Sequence, residues 1–318
     1  MEQTMNPLIT FTIGTYNQEK YIVEALKGAV AQDYENLEII VSDDCSQDKT
    51  FDLIQEFVSN YNGPHKIIVN RNEKNLGLVG HLNKILSIAH GEYIVLSAGD
   101  DISFPERTRL SYEAILRTKV SSISFSYVKI DGEGKVMSSQ PDTSNQEVQL
   151  YNVDDYLHDC YKSGGCARVI SRKIIEEFGL LNDDCLTEDT TLNLRAFLMG
   201  GIAKCGMPLI YYRIHGRNVS KGANYYEYVK PQLIYNQYLR DTKTALKKKM
   251  ISKDTYELVK AKIDYYLLRE NALQTLYHKH GIVKRLFFLC KASISREYDS
   301  ALIKLLFMRF FSWSKNGF

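Results

Sequence analysis

The sequence predicts an α/β protein, a Rossmann-like, mostly parallel sheet with helices on both faces, followed by a C-terminal helical extension. Three observations predict it. Short apolar strands alternate with amphipathic helices over the first hundred residues, the pattern of a parallel sheet. Three of these strands end in polar or acidic residues: Thr15-Tyr16-Asn17, Asp43-Asp44 and Asp100-Asp101. In an open α/β sheet, ligands sit beyond the carboxyl ends of the strands. After about residue 222 the pattern is helical to the end, rich in Tyr, Leu and Lys.

The elements follow in order. Leu8 to Gly14 is the first strand, and Ile22, Ala25, Leu26, Ala29 and Val30 fall at helical spacing. Leu37 to Val41 is the second strand, running into Ser42-Asp43-Asp44-Cys45-Ser46. Phe51, Ile54 and Val58 mark the next helix, with Ser46 or Asp48 as its cap. Lys66 to Val69 is a third strand, Asn70 to Gly77 a polar loop, and Leu78, Leu82, Ile85, Leu86 and Ala89 a third helix. Tyr93 to Leu96 is a buried strand that runs through Ser97, Ala98 and Gly99 into Asp100 and Asp101. Beyond it the character changes. Ile123 to Ile130 alternates, Asp131 to Gly134 is a turn, and Gly164-Gly165-Cys166 opens the strand Ala167 to Ile170. Glu188-Asp189 leads into a helix carrying Leu192, Leu194, Ala196 and Phe197. Ile202 to Cys205 and Leu209 to Tyr212 are two short strands, closing with Arg213-Ile214-His215. This divides the chain into residues 1–104, 105–221 and 222–318.

Composition removes several classes. Forty Lys and Arg stand against 38 Asp and Glu, so no global charge points to nucleic acid. Six cysteines without a CxxC pair argue against a zinc site and suit a reducing compartment. The first residues lack the basic and apolar regions of a signal peptide, and no apolar run is long enough to span a bilayer. Twenty-two tyrosines, many after residue 210, suit an interface rather than a core.

Two adjacent carboxylates at a strand end are costly unless a positive group meets them. Side chains alternate along an extended chain, so Asp100 is expected to face a divalent metal and a diphosphate while Asp101 turns toward the loop or a sugar. The other reading makes Asp101 or Ser103 the cap of the helix after Pro105. There is no GxGxxG and no Walker lysine. A sheet that binds a nucleotide without a glycine-rich loop needs a cation such as Mg²⁺ or Mn²⁺ to neutralise the diphosphate.

Six segments, in order, carry a resemblance: ITFTIGTYNQEKYIVEAL, IIVSDDCSQDKT, NEKNLGLVGHLN, GEYIVLSAGDD, TEDTTLNLRAF and YYRIHGRNVS. Over residues 7 to 220 the chain resembles glycosyltransferase family 2, inverting enzymes with the GT-A fold, of the bacterial polysaccharide and O-antigen type. The resemblance implies a UDP-sugar donor, Mn²⁺ or Mg²⁺, and direct displacement with inversion at the anomeric carbon. It implies nucleotide contacts from Thr15, Tyr16, Asn17, Asp43, Asp44, Asn75, Gly77 and Asp100, with Asp43 open to a structural role and both acids open to a helix-capping turn. Asp100 matches the last acid of the family's DxD motif, but Ala98 stands where the first usually is. That removes one acidic contact to the ribose or metal and does not by itself exclude activity. Asp189 matches the catalytic base, against the alternative of a helix cap. His215 matches a histidine that reaches the metal, and Arg213 alternates with it toward a shared phosphate-facing surface. Gly164, Gly165, Glu188 and Asp101 fall to the acceptor site, the glycines being otherwise a plain turn.

From residue 281 onward, Lys284, Arg285, Lys291, Arg296, Lys304, Arg309 and Lys315 interleave with apolar residues, among them Leu305, Leu306, Phe310, Phe311 and Trp313. Such helices lie on an anionic membrane or pack as a bundle with a basic face. A polyprenyl-linked glycan acceptor, usual for bacterial members of the family, places the chain at the cytoplasmic face of the plasma membrane as a peripheral protein. Three rivals stand beside this reading. A rhamnosyltransferase would use dTDP-rhamnose. A nucleotidyltransferase would need a basic glycine-rich loop that ITFTIGTYNQEK lacks. A non-catalytic glycan-binding relative is suggested by Ala98 and opposed by Asp100, Asp189 and His215.

Overall fold

The computed structural model describes residues 6–137, 147–161, 167–182, 185, 187–216, 230–278, 282–294 and 298–315. The first half comprises β1 (Ile9–Thr15), α1 (Ile22–Val30), β2 (Leu37–Asp43), α2 (Thr50–Ser59), β3 (Lys66–Arg71), α3 (Gly77–Ile88) and β4 (Tyr93–Ala98). Then come β5 (Ile102–Ser103), α4 (Arg107–Thr118), β6 (Ser122–Ile130), β7 (Val148–Tyr151), α5 (Val153–Leu157), β8 (Arg168–Ser171), α6 (Lys173–Phe178), α7 (Glu188–Leu198) and β9 (Ile202–Arg213). Four helices follow: α8 (Pro231–Lys247), α9 (Lys253–His278), α10 (Ile282–Ile294) and α11 (Ser300–Lys315).

All nine strands join one sheet, ordered β3-β2-β1-β4-β8-β6-β9-β5, with β7 also paired to β9. Strands β1 to β4 are parallel throughout. The rest is mixed: β8 runs antiparallel to both β4 and β6, whereas β6 and β9 are parallel. The expected short strands Ile202–Cys205 and Leu209–Tyr212 are one strand of 12 residues. Gly206 and Pro208 lie between the two, and register shifts against β6 at Phe125/Ser126 and Ser126/Val128 absorb them as a bulge.

Strand alternation assigns the two faces of the sheet. Phe11, Ile39, Val41, Val95 and Val169 pack with Leu26 of α1, Ile54 of α2 and Ile115 of α4. Their neighbours Ile40, Ile94 and Ile170 pack on the other side with Leu82 of α3, Ile174 of α6 and Phe197 of α7. Helices therefore cover both faces, as expected. Each fully buried Leu, Ile or Phe contributes about 1.5–3 kcal/mol, and this double coverage is what makes the sheet interior nearly continuous apolar sequence.

The C-terminal helices are fastened to the head and back of α7. Leu194 and Leu198 pack with Ile234, Tyr235 and Tyr238 of α8 and Val259 and Ile263 of α9. Within this contact Arg195 Nε donates to Asp241 Oδ2 at 2.7 Å, with both side chains essentially inaccessible. Gln237 Nε2 donates to Asp241 Oδ1 at 2.8 Å. Removing one partner of such a pair strands a buried charge and costs about 3–5 kcal/mol. Arg195→Leu should lower the urea midpoint accordingly, and Asp241→Leu added to it should recover much of the loss. Farther on, Leu273 and Leu276 of α9 enclose Leu289 of α10 and Leu302, Leu306 and Phe310 of α11. Leu306 and Phe310 thus face the bundle rather than an outside surface. Their i, i+4 spacing was legible, but not which neighbour would cover them.

Candidate active site

The ends of β1, β2 and β4 meet directly. Asp44 N donates to Thr15 O at 2.9 Å, and Gly99 N donates to Gly14 O at 3.0 Å. A Cβ on Gly99 would lie 2.7 Å from Thr15 Oγ1 and 2.6 Å from Gln18 Oε1, so only glycine lets these loops touch. Thr15 Oγ1 donates to Gln18 Oε1 at 2.8 Å, and Tyr16 is exposed beside it. Asn17 takes a left-handed φ of 53° and joins two loops. Its N–H donates to Ser46 Oγ and its Oδ1 accepts from Gln47 N, both at 2.8 Å.

Adjacent acids divide their work. Asp43 is wholly buried: it accepts from Ser46 N at 3.0 Å and from Ser46 Oγ, and Arg71 Nε lies 3.5 Å away. It holds the turn after β2, the structural role left open for it. Asp44 accepts from Asn72 Nδ2 at 2.7 Å, Leu76 N at 2.9 Å and Gly77 N at 3.1 Å. Asn75 Oδ1 also accepts from Gly77 N at 2.9 Å, and Gly77 takes φ 71°. The loop before α3 is therefore wound around Asp44. Neither acid caps α2. The helix starts from Lys49 without a side-chain cap, and Asp48, one residue earlier, accepts from Thr50 N at 2.9 Å through Oδ1. Beneath the pair, buried His81 makes a 2.8 Å bond with Ser42 Oγ, and burial lowers its pKa against the pull of Asp44 and Asp43.

At the end of β4, Asp100 Oδ2 lies 2.9 Å from His215 Nε2, and the His215 ring sits 4.9 Å from that of Tyr21. Asp101 points inward. It is 2% exposed, and Oδ1 accepts from Arg213 N at 3.0 Å. Burial, then Asp100, pushes its carboxyl up to about 7 against Arg107 and Arg213. The expectations that Asp101 meets an acceptor, or caps α4, do not fit this position, because the carboxylate is enclosed by the fold. Arg213 differs from its expectation too. It is 1% exposed, with Nε donating to Asp100 O at 2.9 Å, Nη2 bonded to Glu24 Oε2, and its guanidinium over the Tyr21 ring at 4.8 Å. It braces the Asp100 loop and does not share an outward surface with His215.

Among the described residues, no group of three or more His, Cys, Asp or Glu side chains is placed to hold a metal ion. Asp100 and His215 nevertheless offer a carboxylate and an imidazole at one point. Mg²⁺ bound with nucleotides usually takes one or two carboxylates and completes its shell with phosphate oxygens and water. The pair fits an ion that shares its ligands with a diphosphate.

Glu188 and Asp189 open α7, half-buried. Asp189 Oδ1 accepts from Thr190 N at 2.7 Å, and Arg168 Nη1 donates to Asp189 O at 2.8 Å. Tyr238 of α8 grips the same turn, its hydroxyl 2.5 Å from Thr190 Oγ1 and 3.4 Å from Thr187 Oγ1. The C-terminal helices thus help set the head of α7, a use for the late tyrosines. Burial, then Asp189, pushes the Glu188 carboxyl up to about 7, with Arg168 opposing. A folded value above the ordinary one of 4.5 makes its contribution to stability full below that pH and lost as pH rises through about 7. Glu188→Gln should therefore melt close to the parent at pH 4 and above it at pH 8, a difference that thermal scans across pH will show.

Thr15, Tyr16, Asn17, Asp43, Asp44, Asn75, Gly77 and Asp100 come together at one edge of the sheet, with His215 joined to them through Asp100. Gly164 and Gly165 lie outside the described residues. Gln18, Tyr21, Glu24, Asn72, Arg168 and Tyr238 were not singled out from sequence. Apart from Gln18, whose side chain bonds nearby Thr15, each acts through a contact with a distant segment, and only the count of late tyrosines hinted at any of them.

Residues 10–179 match the family model described as Glycosyl transferase family 2. The chain belongs to that family. It is 25% identical over 310 residues to an uncharacterized glycosyltransferase of Haemophilus influenzae, covering 94% of this chain and 90% of that one. A putative glycosyltransferase of Bacillus subtilis, EpsE, is 37% identical over 101 residues, 32% of this chain and only 36% of EpsE. Among solved structures, TarS of S. aureus in complex with UDP-GlcNAc aligns over 93% of this chain and 82% of its own, with TM-score 0.64 and 17% identity. A mannosyltransferase of Pyrobaculum calidifontis, in complex with GDP-Man and Mn²⁺, aligns over 98% and 84%, with TM-score 0.56 and 15% identity. At these identities the likeness is one of fold, and the fold is GT-A as expected.

Proposed function

We propose that this glycosyltransferase inverts configuration, moving a hexose or N-acetylhexosamine from a UDP-sugar to a polyprenyl-linked glycan of a bacterial surface polysaccharide. The observation that carries the reading is the meeting of three polar strand ends, one of which leads into the Asp100–His215 pair, with a half-buried carboxylate, Asp189, opening α7. The UDP-GlcNAc and Mn²⁺ complexes of proteins sharing the fold support it. Thr15, Tyr16 and the loop wound on Asp44 shape the nucleoside side. Asp100 and His215 would hold Mn²⁺ or Mg²⁺, which when bound neutralises charge on the departing diphosphate. Asp189 takes the proton of the acceptor hydroxyl. The freed oxygen forms a bond to the anomeric carbon as the bond to UDP breaks on the opposite face, so configuration inverts. The test is nucleotide release from a panel of UDP-, GDP- and dTDP-sugars, with and without Mn²⁺. Release from a UDP-sugar that needs the cation supports the reading. A preference for dTDP-rhamnose would replace the donor, and no release from any donor with a polyprenyl-linked acceptor present would refute the enzyme.

The bundle formed by α9, α10 and α11 supports peripheral attachment at the cytoplasmic membrane face. No helix among the described residues is long and apolar enough to cross a membrane. Val283 and Phe287 of α10 are 79% and 73% exposed, and Met308 of α11 is 55% exposed. Exposed Lys284, Lys291, Lys304 and Arg309 accompany them. Each cation near an anionic surface adds on the order of 1 kcal/mol, screened by salt, while inserted apolar residues are not screened. Val283→Ser with Phe287→Ser leaves the buried bundle contacts alone. It should make vesicle co-sedimentation fully salt-sensitive, whereas the parent should be released by salt only in part.

A further inference from the structure

Arg168 is the first residue of β8 and is 1% exposed. It pairs with Ser124 of β6, one step beyond the Val95–Val169 pair with β4. Continuing that register sets it beside Leu96, at the carboxyl end of β4 where Asp100 follows. Its neighbour Val169 packs with the α1 and α4 layer, and Ile170 with the α3 and α7 layer. By alternation the Arg168 side chain lies on the α7 side. There Nη1 donates to Asp189 O at 2.8 Å. The guanidinium has five N–H donors, yet Nε and Nη2 are buried and without a hydrogen-bond partner among the described residues. A buried cation left so short of partners is costly unless a negative charge offsets it. The turn that Arg168 bonds carries two carboxylates, Glu188 and Asp189, and its charge opposes the upward push on Glu188.

We propose that Arg168 is a positioning residue of the transfer reaction, fixing the backbone of Asp189 through Nη1 and supplying through the rest of its guanidinium the counter-charge of the Glu188–Asp189 pair. The proposal rests on the reading of Asp189 as the base. It explains why the buried strand Arg-Val-Ile-Ser begins with an arginine in the layer that carries α7. It also explains how two adjacent carboxylates are kept at one helix start. The helix N-terminus supplies part of the positive field, and Arg168 supplies the rest from beneath. Adjacent carboxylates titrate as a pair. The charged groups facing Glu188 are Asp189 from its own helix and Arg168 from β8. Losing the cation therefore makes ionisation of the pair harder.

The test is the pH–rate profile of transfer at saturating donor for the parent, Arg168→Met, Arg168→Lys and Asp189→Asn, with UDP affinity and melting temperature measured for each. Arg168→Met should move the acidic limb of kcat up by roughly one pH unit and lower kcat about tenfold to a hundredfold, the worth of one hydrogen bond to a charged group. Its KM for the donor should stay near the parent value. Arg168→Lys keeps the charge but not the fork, so the limb should return while kcat stays reduced. If Arg168→Met does not fold, the lysine variant decides: reduced kcat with the limb in place supports the proposal, and parental kcat overturns it. A parental limb and parental kcat in a folded Arg168→Met, beside an inactive Asp189→Asn, would overturn the role of Arg168 alone. Normal transfer by Asp189→Asn would instead overturn the base, and this proposal with it.

Discussion

Asp189→Asn should lose transfer by roughly 10²–10⁴-fold, the usual worth of a general base, while binding UDP as the parent does. The substitution is close to isosteric. Its amide oxygen can still accept from Thr190 N, the 2.7 Å bond that Asp189 Oδ1 makes. The contacts that hold this turn, from Arg168 to the Asp189 carbonyl and from Tyr238 to Thr190, do not involve the carboxylate. What the variant lacks is the ability to take a proton. Initial transfer rates together with UDP calorimetry separate the two quantities. Near-parental transfer would leave Asp189 a structural acid of the first turn of α7, where it accepts from Thr190 N.

Asp100→Ala should reduce turnover at least about a hundredfold, the scale expected when an electrostatic partner of the developing charge is removed, and should abolish the Mn²⁺ dependence of UDP binding. No neighbouring acid can take over. Asp101 is enclosed against Arg213, and residue 98 is alanine. The fold should tolerate the change. Arg213 Nε donates to the backbone oxygen of Asp100, which alanine keeps, and the Asp101 bond to Arg213 N is untouched. Calorimetry of UDP with and without Mn²⁺ is the measurement. Equal cation dependence in parent and variant would remove Asp100 from the proposed metal site and with it the proposed role of His215, whose ring is bonded to Asp100.

The first half of the chain was legible because its signals are local. Apolar runs of strand length end in polar residues, helical stretches repeat at 3.6, and connections are short. The strands at Leu8, Leu37, Lys66 and Tyr93 and the three helices between them lie where the sequence placed them, to within a few residues. The second half was less legible. β5 and β7 are two and four residues long, and each is held by pairing with β9 across a wide gap in sequence. Nothing within such short segments distinguishes them from loop. Gly206 and Pro208 split β9 in sequence, and only the bulge against β6 makes it continuous.

By itself the sequence determined that acids and polar residues stand at the ends of β1, β2 and β4, and that a Glu-Asp pair opens a later helix. Order and spacing are properties of the chain, and they carried the family. Tertiary structure alone decided which acid of each pair faces which way. Alternation says that neighbours differ in direction, not which of them looks outward. That choice is made by partners outside the strand. Arg213 draws Asp101 inward across 112 positions, Asn72 and the Leu76 and Gly77 amides hold Asp44, and Ser46 and Arg71 hold Asp43. Arg168 beneath Asp189 is the same case at a separation of 21 residues. A buried charge is placed by whatever offsets it, and in this chain the offsetting group comes from another strand or loop.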